Sequence, residues 1–502
     1  MAGEGGRGRK RNWLGASPVP PPLLLLGVLP EARIGYKGPE GKEKESGAPS
    51  WWVVPRIRGV ERCVTAKLPR LGSGRMQASL FLCLLAAELG AAVVAIASSE
   101  HQHHRVKNYP LLLPKEDQSS DATLPSYQIA QSNRDFAFSL YKQLVTEGPG
   151  KNVFFSPLSI STSLAMLSLG AQSATLTQIL EGLCFNLSHI SEREIHEGFQ
   201  HIVRTLNLTS NDLEINMGNS LFVRKQMKLQ EKFQGDLQRL YAAEALSTNF
   251  KDSAGAEKQI NDYVEKKTRG RIVELVKDLD ETTAMVLVNY IFFKAKWKTP
   301  FDPRDTQEKD FFVDDTTIVT VPMMTQKKAS HRFLHDEELA CLVLEMNYKG
   351  NASALFILPD EGKMKLVEEA LTRETITRWN NQLRRRHMIL IFPKFSISGH
   401  YGLETILPKL GIHDVFTTQA DLSRISGNRN LKVSKVFHRA VLDVGEKGTE
   451  AAAATGIKIM YKSAPFIPPL VVHFNKPFLM YVFDKLTGSI LFLGKVVNPT
   501  LK

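Results

Sequence analysis

The sequence predicts one large α+β domain, and three observations carry that prediction. Apolar residues at helical spacing dominate the stretch after residue 130. Near-continuous or alternating apolar runs dominate the C-terminal half, and neither βαβ alternation nor an internal repeat joins the two. With 43% apolar and 8% aromatic residues in 502, the chain can bury a large core, and a single domain of about 375 residues follows.

What precedes residue 130 reads differently. Residues 1–75 are rich in Gly, Pro and Arg without a sustained period, as expected of an upstream extension that is disordered or absent from the mature protein. Arg75 then precedes Met76, an apolar run covers most of Ser79 to Ile96, and Ala95-Ile96-Ala97 offers small residues for cleavage. That is the layout of a secretory signal peptide over 76–97, with translation from Met76 giving the working protein. A signal anchor is the alternative, and Glu88 inside the run speaks against it. Residues 98–129 are polar and broken by Pro, the composition of a flexible leader. The HQHH cluster within it has no second set of metal ligands beside it.

The formal charge of +12 is divided into +7 over the first 97 residues and +5 over the rest. Nucleic acid is therefore not an expected partner, and any polyanion would need a local patch. Acceptor sites for N-linked sugar at Asn186, Asn207 and Asn351 agree with an extracellular destination, whereas Asn498 is disqualified by the proline after it. After signal cleavage Cys184 and Cys341 remain. Two cysteines make no disulfide framework and read as buried free thiols.

Taken in order, the first helix is expected from a cap at Ser132 or Asn133, with Phe136, Leu140, Tyr141 and Leu144 on one face. FFSPLSISTSLAMLSLG continues helically, its small Ser and Ala residues permitting close packing. TQILEGLCFNL, EIHEGFQHIVRTLN and EKQINDYVEKKTRG also read as helices. TTAMVLVNYIFFKAKW is apolar throughout, the pattern of a strand buried on both faces. LACLVLEMNY, NASALFILPD, HMILIFPKFSIS and HRAVLDVG are further strands, and the C-terminus reads as a hairpin around Asp484 to Gly488.

No enzyme constellation emerges: there is no G-x-S-x-G elbow, P-loop or G-x-G-x-x-G. HEGFQH spaces His196 and His201 five apart, about 140° around a helix, where a zinc-protease pair needs four. His196 is expected at the surface and His201 as a satisfied partner within the fold. No metal is expected.

Several separate motifs resemble one family, the serpins, from about Phe136 to Pro499: FSPLSIS, VNYIFFKAKW, PKFSIS, FHRAVLDVGEKGTEAAAATG, FNKPF and FLGKVVNP, in that order. The detail is most similar to the antitrypsin-like secreted group. The resemblance implies a serpin domain over 130–502 with three β-sheets and eight to nine helices. It also implies an exposed reactive-centre loop, about 446–469, before the C-terminal strands.

A serpin loop is bait: a protease cleaves it through an acyl-enzyme, and the loop's N-terminal part then inserts as a new strand of the large sheet, trapping the protease. The resemblance implies a hinge of Gly448, Thr449, Glu450, Ala451, Ala452, Ala453 and Ala454, of which Ala451 to Ala454 are small enough to slide between two strands. It places the reactive bond at Lys462-Ser463. A lysine there suits a trypsin-like protease, where the most similar members carry a large apolar residue; a register slip of one would make Tyr461 primary. Ser156, Ser159, Asn289 and His438 match the shutter, where strands part, and Trp297 matches the breach, where insertion begins.

Arg373, Arg378, Arg384, Arg385, Arg386 and Lys394 cluster around one helix and the following strand, matching a region that binds heparin in some members. Heparin or another glycosaminoglycan is thus a candidate ligand, with Arg378, Arg384, Arg385 and Arg386 as its contacts. No cofactor is required. The expectation is a secreted, monomeric inhibitor of trypsin-like serine proteases, not itself an enzyme and off the membrane once mature. The alternative is a non-inhibitory serpin carrying a small hydrophobic hormone.

Overall fold

The computed structural model describes residues 125–207, 212–429, 431–449 and 469–501. The expectations for the extension, the signal peptide and most of the leader lie outside the described residues.

Helix α1 (Pro125–Glu147) begins inside the predicted leader, ahead of the expected cap. Pro125 suits a helix start because it has no N–H to leave unpaired. Asn133 is therefore mid-helix and buried, accepting from the Ser161 hydroxyl at 2.7 Å. Strand β1 (Val153–Phe155) interrupts the predicted helical run, and Ser156 then caps α2 (Pro157–Ser168) by accepting from the Ser159 amide. Every residue of α2 is buried, which explains why it is built of small and apolar types. Helix α3 (Ser173–Gly182) stops short of the predicted end, because Cys184 turns to a φ of 64°. In α4 (Glu192–Leu206), Ser191 and Glu194 form a reciprocal capping box.

The remaining elements are β2 (Leu213–Arg224), α5 (Glu231–Tyr241), β3 (Glu244–Thr248), α6 (Ser253–Lys267), β4 (Met285–Ala295), β5 (Gln307–Phe312), β6 (Ile318–Asp336), β7 (Cys341–Asn347), β8 (Ala352–Pro359), α7 (Met364–Glu369), α8 (Arg373–Gln382), β9 (Arg384–Pro393), β10 (Phe395–Gly402), α9 (Ser423–Ser426), β11 (Lys435–Val444), β12 (Leu470–His473), β13 (Phe478–Asp484) and β14 (Ile490–Val496). The C-terminal hairpin stands where the sequence places it, with Asp484 accepting three hydrogen bonds within its turn.

Five strands form one sheet in the order β10-β11-β4-β2-β3. At its centre β4 and β11 run parallel, Val286 to Phe292 opposite Lys435 to Val441. Alternate residues of β4 enter two cores: Leu287, Ile291 and Phe293 join the main one, to which α2 contributes Leu158 and Leu164. Val286, Val288 and Tyr290 pack with Ile260 and Val264 of α6. Burial on both faces is why the sequence of β4 shows no polar alternation.

The other strands follow the path β1-β14-β13-β8-β7-β6-β9-β12, with β5 beside β6. A bulge in β6 between Gln326 and Ala329 divides it, residues before pairing with β5 and residues after with β7. The division leaves a third, small sheet of β5, the first half of β6, β9 and β12. Three sheets and nine α-helices, counted among the described residues, match the predicted architecture.

Candidate functional site

Where β4 and β11 end, the chain from Gly445 to Thr449 turns over the sheet. Gly445 and Gly448 exchange backbone hydrogen bonds of 2.8 and 3.2 Å, forming a tight turn. Trp297, just past β4, donates its backbone N–H to Lys447 O at 2.7 Å and its indole Nε1–H to Gly445 O at 3.0 Å. The indole is stacked on Tyr348 with ring centroids 4.1 Å apart. Gly448 has a φ of +139°, and a Cβ there would lie 2.0 Å from Ala295 O and 2.6 Å from Lys296 Cα. Glycine is needed at this position by both geometry and space.

Thr449 is buried. Its N–H donates to Ala295 O at 2.6 Å, and its hydroxyl accepts from Ala295 N at 2.6 Å while donating to Ala295 O at 3.0 Å. Gly448 and Lys296 form an antiparallel bridge. The chain has thus reversed direction after β11 and laid one residue into the end of the sheet.

Glu446 anchors the turn from the other side. Its carbonyl accepts from Phe301 N at 2.7 Å, and its carboxylate pairs with Lys394 at 3.1 Å and accepts from the Thr306 hydroxyl at 3.2 Å. Burial pushes that carboxyl up, but its bond to its own backbone N–H, with Lys394 and Thr306, holds it below the usual range.

Further along the same strand pair, Asn289 of β4 and His438 of β11 are directly opposite. His438 Nδ1 bonds Asn289 Oδ1, and Nε2 accepts from the Ser156 N–H at 3.1 Å. One nitrogen must donate and the other accept, so the ring is neutral; burial pushes its pKa down to about 3. The Asn289 amide donates to Ser159 O at 2.8 Å and to Ser159 Oγ at 2.6 Å. The four predicted shutter residues therefore form one buried network tying β4, β11 and α2 together. Asn219 of β2, also bonded by Asn289, belongs to it and was not legible in the sequence.

Glu450, Ala451, Ala452, Ala453, Ala454, Lys462 and Ser463 lie outside the described residues. After Pro469, β12 pairs with β9 in the small sheet. Thr449 is thus bonded into the five-stranded sheet, whereas β12 belongs to the small one.

The predicted basic cluster divides in two. Arg384, Arg385 and Arg386 are consecutive and exposed on β9. Lys327 and Lys328 are also exposed, on the bulge of the neighbouring β6, where Lys327 pairs with Asp305 at 2.6 Å. Arg378, by contrast, pairs with Asp336 at 2.8 Å and Glu338 at 3.2 Å. Burial pushes the Asp336 carboxyl up, but Trp379 Nε1–H and Arg378 outweigh it and hold it below the usual range. Arg378 is an anchor of α8, committed to the fold.

The histidine assignment is reversed: His196 is buried against Tyr241 and His201 is exposed. The cause is α5, whose Tyr241 covers that face of α4. Cys341 is buried and Cys184 half-buried, both free thiols. Asn186, Asn207 and Asn351 are all exposed. Among the described residues no cluster of three metal-ligating side chains occurs, and no helix is long and apolar enough to cross a membrane.

Comparison with known proteins gives the same picture. The family model "Serpin (serine protease inhibitor)" matches residues 131–499. Alpha-1-antichymotrypsin of Pongo abelii is 55% identical over 387 residues, 77% of this chain and 92% of that protein. Human kallistatin is 52% identical over 380 residues, 75% of this chain and 89% of that protein. The crystal structure of human thyroxine-binding globulin with thyroxine superposes with a TM-score of 0.72 at 44% identity, covering 75% of this chain and 100% of that one. These matches over nearly the whole folded region, which agree with the glycine-dependent turn and the buried polar network at the β4–β11 pair, place the chain in the serpin family.

Proposed function

We propose that the protein is a secreted inhibitor of trypsin-like serine proteases that acts as a suicide substrate. One observation carries this reading: Thr449 already occupies the end of the space between β4 and β11, antiparallel to both. The residues that follow it in sequence are those an extended insertion would use.

The protease serine attacks the Lys462 carbonyl, the Lys462-Ser463 bond breaks, Ser463 leaves as the new amine, and Lys462 stays esterified to the enzyme. Freed by that cut, the segment from Thr449 onward enters between β4 and β11. One parallel pairing is thereby exchanged for two antiparallel ones, which are slightly more stable per residue. Thirteen residues up to Tyr461 span about 43 Å when extended, enough to carry the acylated protease along the sheet. Ala451, Ala452, Ala453 and Ala454 offer no bulk to obstruct that passage. The shutter must part, and because its groups are neutral it does so without uncovering a charge. The exposed Arg384, Arg385 and Arg386 on β9 suit a sulfated polysaccharide, so heparin is the expected accelerator. The signal-like segment at 76–97 and three exposed glycosylation acceptors support secretion.

The second reading, a hormone carrier, draws on the likeness to thyroxine-binding globulin. The absence of proline and of large apolar side chains from Gly448 to Ala454 favours the inhibitor. Progress curves with trypsin and with chymotrypsin, followed by mass analysis of the released C-terminal peptide, test the assignment. Inhibition of trypsin with a peptide starting at Ser463 is expected. A cut after Tyr461 with inhibition of chymotrypsin alone would replace the specificity, and saturable thyroxine binding without inhibition would put the carrier in its place.

A further inference from the structure

A groove of about 500 Å³ lies between α4 and α5, away from the hinge and shutter. His196 lines it and is only 5% exposed. Its Nδ1 is 2.6 Å from the Tyr241 hydroxyl. With the phenol donating to Nδ1, the arrangement that leaves the buried hydroxyl proton paired, the ring's own proton is on Nε2. Nε2 has no hydrogen-bond partner. Glu192 Oε1 faces it at 3.8 Å, a long contact that, ahead of Arg424, holds that carboxyl below the usual range, and Glu192 is itself bonded by Arg424 at 2.6 Å. The groove therefore contains a buried donor whose facing carboxylate lies too far for a full hydrogen bond, a condition that costs free energy until it is met.

The rim decides the sign of the ligand. Asp236 is shared by Lys232 at 3.2 Å and Arg239 at 2.7 Å, and both cations remain largely exposed with donors to spare. The acids of the groove are each already paired with a base, Glu197 with Arg193 at 2.8 Å. Leu169 and Leu240 add apolar lining. A single water would satisfy Nε2, but at about 30 Å³ it would leave the groove unfilled.

We propose that this groove is a binding site for a small organic anion. Its carboxylate or sulfonate accepts from His196 Nε2–H and from Lys232 or Arg239, while its apolar body lies against Leu169 and Leu240. The volume is within the range of small-molecule sites. Because α2 packs against both α4 and α5, occupancy would also brace the helix that carries Ser159.

The test is a fluorescence titration of the mature protein with anilinonaphthalene sulfonate, with naphthoate as competitor and neutral anilinonaphthalene as control. The histidine ring-nitrogen resonances are followed in parallel. Expected are saturable binding at one site, displacement by naphthoate, a shift of the His196 Nε2 signal, and affinity about tenfold weaker in the Lys232→Ala/Arg239→Ala double variant. Both substitutions are at exposed positions, and urea unfolding of the double variant checks that the fold survives the loss of both partners of Asp236. Equal binding of the neutral compound, unchanged affinity in the double variant, or an unmoved His196 signal would each overturn the proposal.

Discussion

Thr449 is bonded to both backbone atoms of Ala295, through its amide and its hydroxyl, and so forms the first antiparallel rung at the end of a parallel strand pair. The position of Gly448 follows from that rung: the chain must pass within van der Waals contact of Ala295 to deliver Thr449 into the sheet.

Replacing Gly448 with Ala should therefore expel the hinge. The added Cβ would sit 2.0 Å from Ala295 O on a backbone with φ +139°, and the strain is worth about 1–3 kcal/mol. Unfolding in urea should show the loss. Hydrogen exchange at Thr449 and Trp297 should quicken as well, because both amides depend on the turn. An unchanged exchange rate would mean the rung is not formed in solution.

Acid should loosen the shutter and the β6 bulge together. His438 is held to a pKa of about 3 by burial, and His331, bonded to Gln326 and near Arg385, to about 4. Both are depressed, so the unfolded chain takes up protons first. Stability is complete above ~6.5 and falls as the pH drops, with a slope of up to about 1.4 kcal/mol per pH unit for each histidine. The His331 contribution ends near 4 and that of His438 near 3. Urea midpoints measured between neutrality and pH 4 should fall steadily, and His331→Gln should flatten the slope. A level profile in the wild-type protein would contradict these assignments.

The arginines should separate by function. Changing Arg384, Arg385 and Arg386 to Ala should weaken heparin binding and reduce its salt dependence while leaving stability nearly unchanged, since all three are exposed. Arg378→Ala should do the reverse. It strips the buried Asp336 of its cation and should cost about 2 kcal/mol, with heparin affinity retained. Heparin chromatography across a salt gradient and urea unfolding of both variants check the pair of outcomes.

What the sequence made legible and what it concealed follow one physical line. β4 could be read because both its faces are buried, and the C-terminal hairpin because turn residues separate two apolar runs. β2 could not, because Asn216, Gly218, Asn219 and Ser220 break its apolar pattern, and Asn219 is there to bond Asn289. The basic patch looked like one cluster because the sequence does not show that Arg378 meets Asp336 across elements, nor that a bulge in β6 brings Lys327 and Lys328 beside β9. His196 and His201 were exchanged for the same reason: what covers a helix face is decided by another helix. Local period recovers elements; partners between elements need the fold.

The most direct test of the central claim is to mix the mature protein with trypsin, alongside a Thr449→Arg variant, and examine both on a denaturing gel. The account predicts a covalent band at the summed mass for the wild-type protein. It predicts cleavage after Lys462 without that band for the variant, because a guanidinium cannot follow Thr449 into the sheet without a buried, unpaired charge. Quantitative cleavage of the wild-type protein with no covalent band, or an equal band from both proteins, would contradict it.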